Sequence, residues 1–369
     1  MKPLQFIDKD KNKLLFFSTL RNRVDGYFKE NKISKNYNNS MVTKTIVLLA
    51  MYLVPFSCIL IFTPQPVYVI LLFALMGIAL AGIGMSIMHD ANHGAYSSSS
   101  NVNYWLGHTL NLLGGAVFNW KLQHNILHHT YTNVTDYDDD IEDKLIMRFS
   151  PHTKVKWYHK LQHFYVFLFY SILTIYWVIF KDFVQFSKYT KSGVNKLKAK
   201  ENVIALIKII LSKIVYIVVF IILPIFVIEV HTPSFIIGFF TMHIIAGLIL
   251  SITFQLAHTV EQTTHPLPNE HGTIENTWAI HQLNTTVNFS RKNKFISWYV
   301  GGLNFQVEHH LFPTICHVHY PAIAPIVKQT AEEFGIPYLE NETLWQAFSS
   351  HLNTLKRFGK PEDIQLTTN

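Results

Sequence analysis

The sequence predicts an all-α integral membrane protein: four transmembrane helices in two hairpins, with a cytoplasmic helical cap that carries a metal site. Three observations lead there. Apolar residues, 49% of the 369, gather into runs of membrane-spanning length, while only 15% of the chain is charged. Lysine and arginine collect beside one end of those runs, and seven of the 20 histidines form three compact clusters just outside them.

A spanning helix needs roughly 20 apolar residues to cross a hydrocarbon core about 30 Å thick. Four runs qualify, near 45–62, 66–88, 209–230 and 234–257. Thr63-Pro64-Gln65 joins the first two and His231-Thr232-Pro233 the last two. Both connections are tight and lack Lys and Arg, so each pair reads as a hairpin. Residues 1–44 hold ten Lys or Arg against four acids, and residues 181–200 hold six Lys against one Asp. The positive-inside bias therefore puts the N-terminus, the 181–200 loop and the C-terminus in the cytoplasm. A fifth run, 164–180, is short and rich in Phe and Tyr. If it crossed, histidines near 129 and 309 would lie on opposite faces, so it reads as a helix at the interface. The expected division is a cytoplasmic N-terminal segment (1–44), a membrane domain (45–330) and a cytoplasmic C-terminal tail (331–369).

Composition narrows the function classes. The net charge of +7 sits beside apolar segments, which points to a lipid surface and away from nucleic acid. The first 40 or so residues lack the apolar core of a signal peptide. Two cysteines, Cys58 and Cys316, make neither a disulfide framework nor a Cys-based metal site.

The first histidine cluster, His89-Asp90-Ala91-Asn92-His93, follows the second run, and its i,i+4 spacing puts both rings on one helix face. In the second, His124-Asn125-Ile126-Leu127-His128-His129, His124 and His128 share a face while His129 points roughly 100° away. The third is Gln306-Val307-Glu308-His309-His310, and Pro313 stops its helix soon after. A lone histidine on a helix is ordinarily a surface or core residue, and one pair is weak evidence. Three clusters, each at the cytoplasmic end of a hairpin or in the loop between hairpins, point to a metal. Imidazole suits iron, zinc and copper alike. The common zinc spacings and HExxH are missing, as are paired ExxH motifs. Seven histidines with few carboxylates suit two metals, and adjacent redox metals suit O2 activation.

HDANHGAYS (89–97), HNILHHTYTN (124–133) and GGLNFQVEHHLFP (301–313) resemble the three histidine boxes of the membrane fatty-acid desaturases. Gln306, opening the third box, is similar to the front-end subgroup, which includes bacterial linoleoyl-CoA desaturase-like proteins. The resemblance spans about residues 40–330. It implies two iron ions, O2 as co-substrate and a fatty acyl substrate (acyl-CoA or acyl-lipid) that gains a cis double bond on the carboxyl side of an existing one. It makes His89, His93, His124, His128, His129, His309 and His310 ligands, with Gln306 beside them. Related enzymes use a further ligand between the last span and the third box. His258, His281 and Gln282 are the candidates, with His281 preferred. Many eukaryotic relatives carry a fused cytochrome b5 marked by His-Pro-Gly-Gly. Here only His265-Pro266-Leu267 occurs, so a separate donor of ferredoxin or cytochrome b5 type is expected. The alternatives are a related di-iron lipid hydroxylase or sphingolipid desaturase and, in another class, a His-rich metal transporter. Transporters place polar ligands near the bilayer midplane, unlike these boxes.

Three further features carry expectations. The acids Asp136, Asp138, Asp139, Asp140, Glu142 and Asp143 read as a solvated loop in preference to a donor-docking or metal-tuning role. The lysines of 181–200 read most simply as headgroup contacts, or else as contacts to the phosphates of an acyl-CoA. His243, inside an apolar run, reads either as functional or as a neutral packed ring, and His351 is expected to be dispensable.

Overall fold

The computed structural model describes residues 3–142, 146–228 and 230–361. The fold is mostly helical, and among the described residues four helices are long and apolar enough to cross a membrane: Asn39–Phe62, Pro66–Asn92, Ala199–Val227 and Thr232–His258. Each extends a run read from the sequence, and local chemistry sets the ends. The first span starts at Asn39, where the Asn38 side chain accepts a hydrogen bond from Met41 N, and stops where Thr63 turns left-handed at φ 40°. Proline, whose missing N–H costs nothing in a first turn, opens the second span at Pro66 and the fourth at Pro233. The second and fourth spans meet through glycine. A Cβ on Gly77 would lie 2.6 Å from the Met242 carbonyl, and one on Gly238 would collide with the Phe73 ring. Small residues let spans approach closely where lipid supplies no hydrophobic drive.

The 164–180 run lies within two helices, Trp157–Ser171 and Leu173–Ser192, bent by 54° where they meet. The two ends of the described chain pack beside the long helices. Phe16–Glu30 buries Phe16, Leu20, Val24 and Phe28, at four-residue spacing, in a core shared with Tyr320–Glu333. Two short parallel strand pairs add to the helical fold: Gln5–Ile7 with Thr273–Glu275, and Asn288–Phe289 with Glu340–Asn341. The described part of 331–369 is therefore integrated into the fold. Leu344–Phe358 buries Leu355, Phe358 and His351, whose Nδ1 reaches the Thr259 carbonyl at 2.8 Å and whose Nε2 reaches the Tyr170 hydroxyl at 2.9 Å.

Candidate metal centre

Each histidine box sits on a helix whose register departs from, or is braced against, its neighbours. The second span carries a π-helical turn over Ile83–Ile87, just before His89 and His93, whose ring centroids are 4.7 Å apart. The second box lies on a π-helix, Lys121–His128, running into His129–Tyr131. Its i→i+5 bonding brings His124 and His129 together, with their Nε2 atoms 3.3 Å apart. The expected 100° divergence of His129 is thus cancelled by the wider turn, while the His124 and His128 rings still stack at 5.3 Å. The third box rides on Gln306–Leu311. Before it, Gly301 (φ +63°) has no room for a Cβ against the Met85 carbonyl, which seats this box on the π turn of the first.

The three boxes meet. Ligand atoms of His89, His93, His124 and His309 lie within 4.8 Å of one another, as do those of His128, His258 and His310, and those of His129, His309 and His310. All seven box histidines are therefore in one cluster. The eighth ring is His258, the last residue of the fourth span. His281, the preferred extra ligand, joins none of these groups; its ring lies 5.1 Å from the Phe6 ring and its Nε2 is buried with no hydrogen-bond partner. Gln282 faces His310 with its Oε1 2.8 Å from Nδ1, and accepts from the Thr132 hydroxyl at 2.9 Å. Gln306 is buried beside His258. The span-end position of His258 was its signal: an ionisable group closing an apolar helix.

The donor set fits a metal. His93 Nε2, His129 Nδ1, His258 Nε2, His309 Nε2 and His310 Nε2 are buried with no hydrogen-bond partner, at a cost of about 1–3 kcal/mol each if nothing binds them. Several of the opposite ring nitrogens are held from outside, the arrangement that orients metal-bound imidazoles. His128 Nδ1 lies 3.1 Å from Asp138 Oδ2, His309 Nδ1 3.2 Å from the Tyr320 hydroxyl, and His258 Nδ1 3.3 Å from the Thr285 carbonyl. Burial, reinforced by neighbouring histidines, holds His93, His124, His129, His309 and His310 well below the usual imidazole range. They are neutral and ready to ligate. His128 differs: burial favours its neutral form, but Asp138 and Asp140 outweigh it and push it up to about 9.

The acidic run is not the solvated loop expected. Asp138 and Asp139 are buried, the first on His128 and the second on Lys188, Gln185 and Tyr189. Asp143 lies outside the described residues. Lys188 binds acids of the chain itself, with Glu142 at 2.5 Å. His243 is a packed ring, held by the Tyr216 hydroxyl at 2.9 Å and the Thr174 hydroxyl at 3.0 Å.

Residues 64–341 match the profile of the family described as fatty acid desaturase. The chain belongs to that family. It is 37% identical to the acyl-lipid (8-3)-desaturase of Physcomitrium patens, an alignment covering 94% of this chain and 72% of the relative. It is 36% identical to the sn-1 linoleoyl-lipid 6-desaturase of Arthrospira platensis (93% and 92% covered) and 35% identical to that of a Synechocystis strain (94% and 96%). The desaturase is thus a membrane-associated oxidoreductase that desaturates fatty acyl chains. Such relatives favour neither the hydroxylase nor the transporter alternative.

Proposed function

We propose that this desaturase uses O2 and two electrons to place a cis double bond on the carboxyl side of an existing one, in a lipid-bound acyl chain, at two irons on the cytoplasmic face. Relatives named as linoleoyl-lipid 6-desaturases, aligned over nearly their whole length, carry the regiochemical reading, and Gln306 is consistent with it. The iron count rests on the two ligand groups joined through His129, His309 and His310. His89, His93 and His124 would hold one ion; His128, His258 and His310 the other, with Gln306 a neutral and weaker neighbour. When bound, the irons would activate O2 for removal of two hydrogens from neighbouring carbons. The chain's own residues fix the ring orientations through Asp138, Gln282, Tyr320 and Thr285, and burial of the cluster excludes water. His281 and Gln282 then serve around the site and not as ligands.

The cluster supports one reading of the topology. Boxes two and three touch, so an even number of crossings separates them. The third and fourth spans supply two, and the bent pair Trp157–Ser171 and Leu173–Ser192 stays on the metal side. The basic residues of 1–44 make that side cytoplasmic, with two helical hairpins below. Electrons come from a ferredoxin or cytochrome b5 type donor outside these 369 residues. Feeding linoleate to an expressing host and mapping the product by gas chromatography is the test. The expected product carries a new bond between the carboxyl group and the existing ones. A new bond on the methyl side, or action on saturated chains only, would overturn the front-end reading.

A further inference from the structure

The short helix Lys294–Tyr299, between the last span and the third box, is placed by its contacts at the depth of the spans. The Tyr299 hydroxyl donates to the Ile78 carbonyl at 2.9 Å, and a Cβ on Gly82 would lie 3.5 Å from the Tyr299 ring. Counting from Pro66 at about 1.5 Å per residue, Ile78 stands roughly 18 Å up the second span. A core of about 30 Å would then continue roughly 12 Å beyond it. The first span places the preceding residue nearer the metal-side surface: Lys44, roughly 27 Å from Phe62 by the same count, sets its ammonium 5.4 Å from the Trp298 ring.

The contact is also on the outer side of the second span. Leu71, Leu75 and Ile78, spaced four and three apart, are its exposed stripe at 58%, 37% and 39%, the face that lipid covers. One turn before Tyr299, Phe295 stacks parallel to it, centroids 6.5 Å apart, and is 74% exposed. Lys292, Asn293 and Lys294 precede it, all exposed. An apolar tip behind a basic stretch is the pattern of a segment that buries aromatics among acyl chains and leaves lysines at the headgroups.

We propose that residues 292–299 are inserted in the leaflet next to the metal centre, with Phe295 among the acyl chains and Lys292 at the headgroups. The third histidine box is thereby anchored in lipid through the chain just before it. The inference rests on the spans crossing the bilayer as proposed above. It is tested in vesicles of the reconstituted, full-length protein, on a Cys58→Ser background, since Cys316 is buried. Nitroxide labels go on Phe295→Cys and Lys292→Cys, with Leu71→Cys as a span control and Lys328→Cys as a water-exposed control. Accessibility to O2 and to a water-soluble nickel chelate is then measured. The expected ratio of O2 to nickel accessibility at 295 is several-fold above that at 328 and similar to that at 71, with 292 intermediate. A value at 295 equal to that at 328 overturns the insertion while 71 still reports lipid. Loss of the lipid signal at 71 would overturn the span reading itself.

Discussion

At the scale of single residues, the cluster separates histidines whose ring nitrogens converge from those that merely sit nearby. His258→Ala removes a ring from the His128–His310 group and is expected to lower bound iron and abolish desaturation. His281→Ala removes a ring packed on Phe6 and is expected to leave iron content unchanged. Iron per protein, measured on both purified variants, decides; equal losses would contradict the assignment. Asp138 acts through His128. Because Asp138 and Asp140 hold His128 protonated up to about pH 9, metal must displace that proton. Affinity should therefore rise by about tenfold per pH unit on account of this ring until roughly pH 9. Asp138→Asn frees the orientation of His128, so affinity should fall by about 10–100-fold near pH 9, where no proton competes. It also lowers the pKa of His128, so the loss should shrink toward pH 6 and the pH dependence should level off at lower pH. Competition titrations with a chelator across pH 6–9 would read both. The seven box histidines were legible in the sequence because HxxxH and HH are local patterns. His258 was only one of three candidates and Asp138 only one acid of a run, because their roles depend on which element the fold brings beside them. His351 was misjudged for the same reason. Its two buried hydrogen bonds, to Thr259 and Tyr170, make His351→Ala destabilising by about 1–3 kcal/mol, visible as a lower unfolding temperature.

At the scale of elements, hydropathy located the four long apolar helices well and their ends less well. Asn39 and Lys44 lie in helix although they are too polar to read as membrane, since a cap and a buried partner satisfy them. Lys44 meets His317 Nε2 at 2.7 Å, a contact from beyond the third box. The π-helical turns were invisible, because the choice between i→i+4 and i→i+5 bonding is made by packing and not by residue type. They matter because they set which way the boxes face. Gly301 shows how tightly. It is left-handed, at φ +63°, and a Cβ there would strike the Met85 carbonyl in the π turn beneath the first box. Gly335 is also left-handed, at φ +64°, but has open space around it. Gly335→Ala should cost only the conformational strain, about 1–2 kcal/mol. Gly301→Ala should cost more and also reduce iron content, since relieving the clash moves the third box off the first. Thermal unfolding and iron content measured side by side would separate the two. Equal behaviour would mean that this contact does not position the site.

At the scale of the whole molecule, the histidine cluster constrains the topology more strongly than hydropathy does. Hydropathy alone permits four crossings, or five if the bent pair Trp157–Ser171 and Leu173–Ser192 counts as one. A fifth crossing would put His128 and His310 on opposite sides, yet their ring centroids are 5.0 Å apart. The bend itself suits a pair of helices that dips into one leaflet and returns, with Phe164 and Phe180 exposed on its outer surface. Labelling single cysteines with an impermeant maleimide in intact cells gives the answer position by position. Thr63 and Thr232, in the two short connections, are both exposed and should react from outside. Ser98 beside the first box, and Lys328 on the outer face of Tyr320–Glu333, are also exposed and should react only after the membrane is opened. Ser192, which ends the second helix of the bent pair, is the deciding position. Protection in intact cells keeps both box-bearing regions on one face. Labelling of Ser192 from outside would require a fifth crossing, and the shared histidine cluster could not then exist as built.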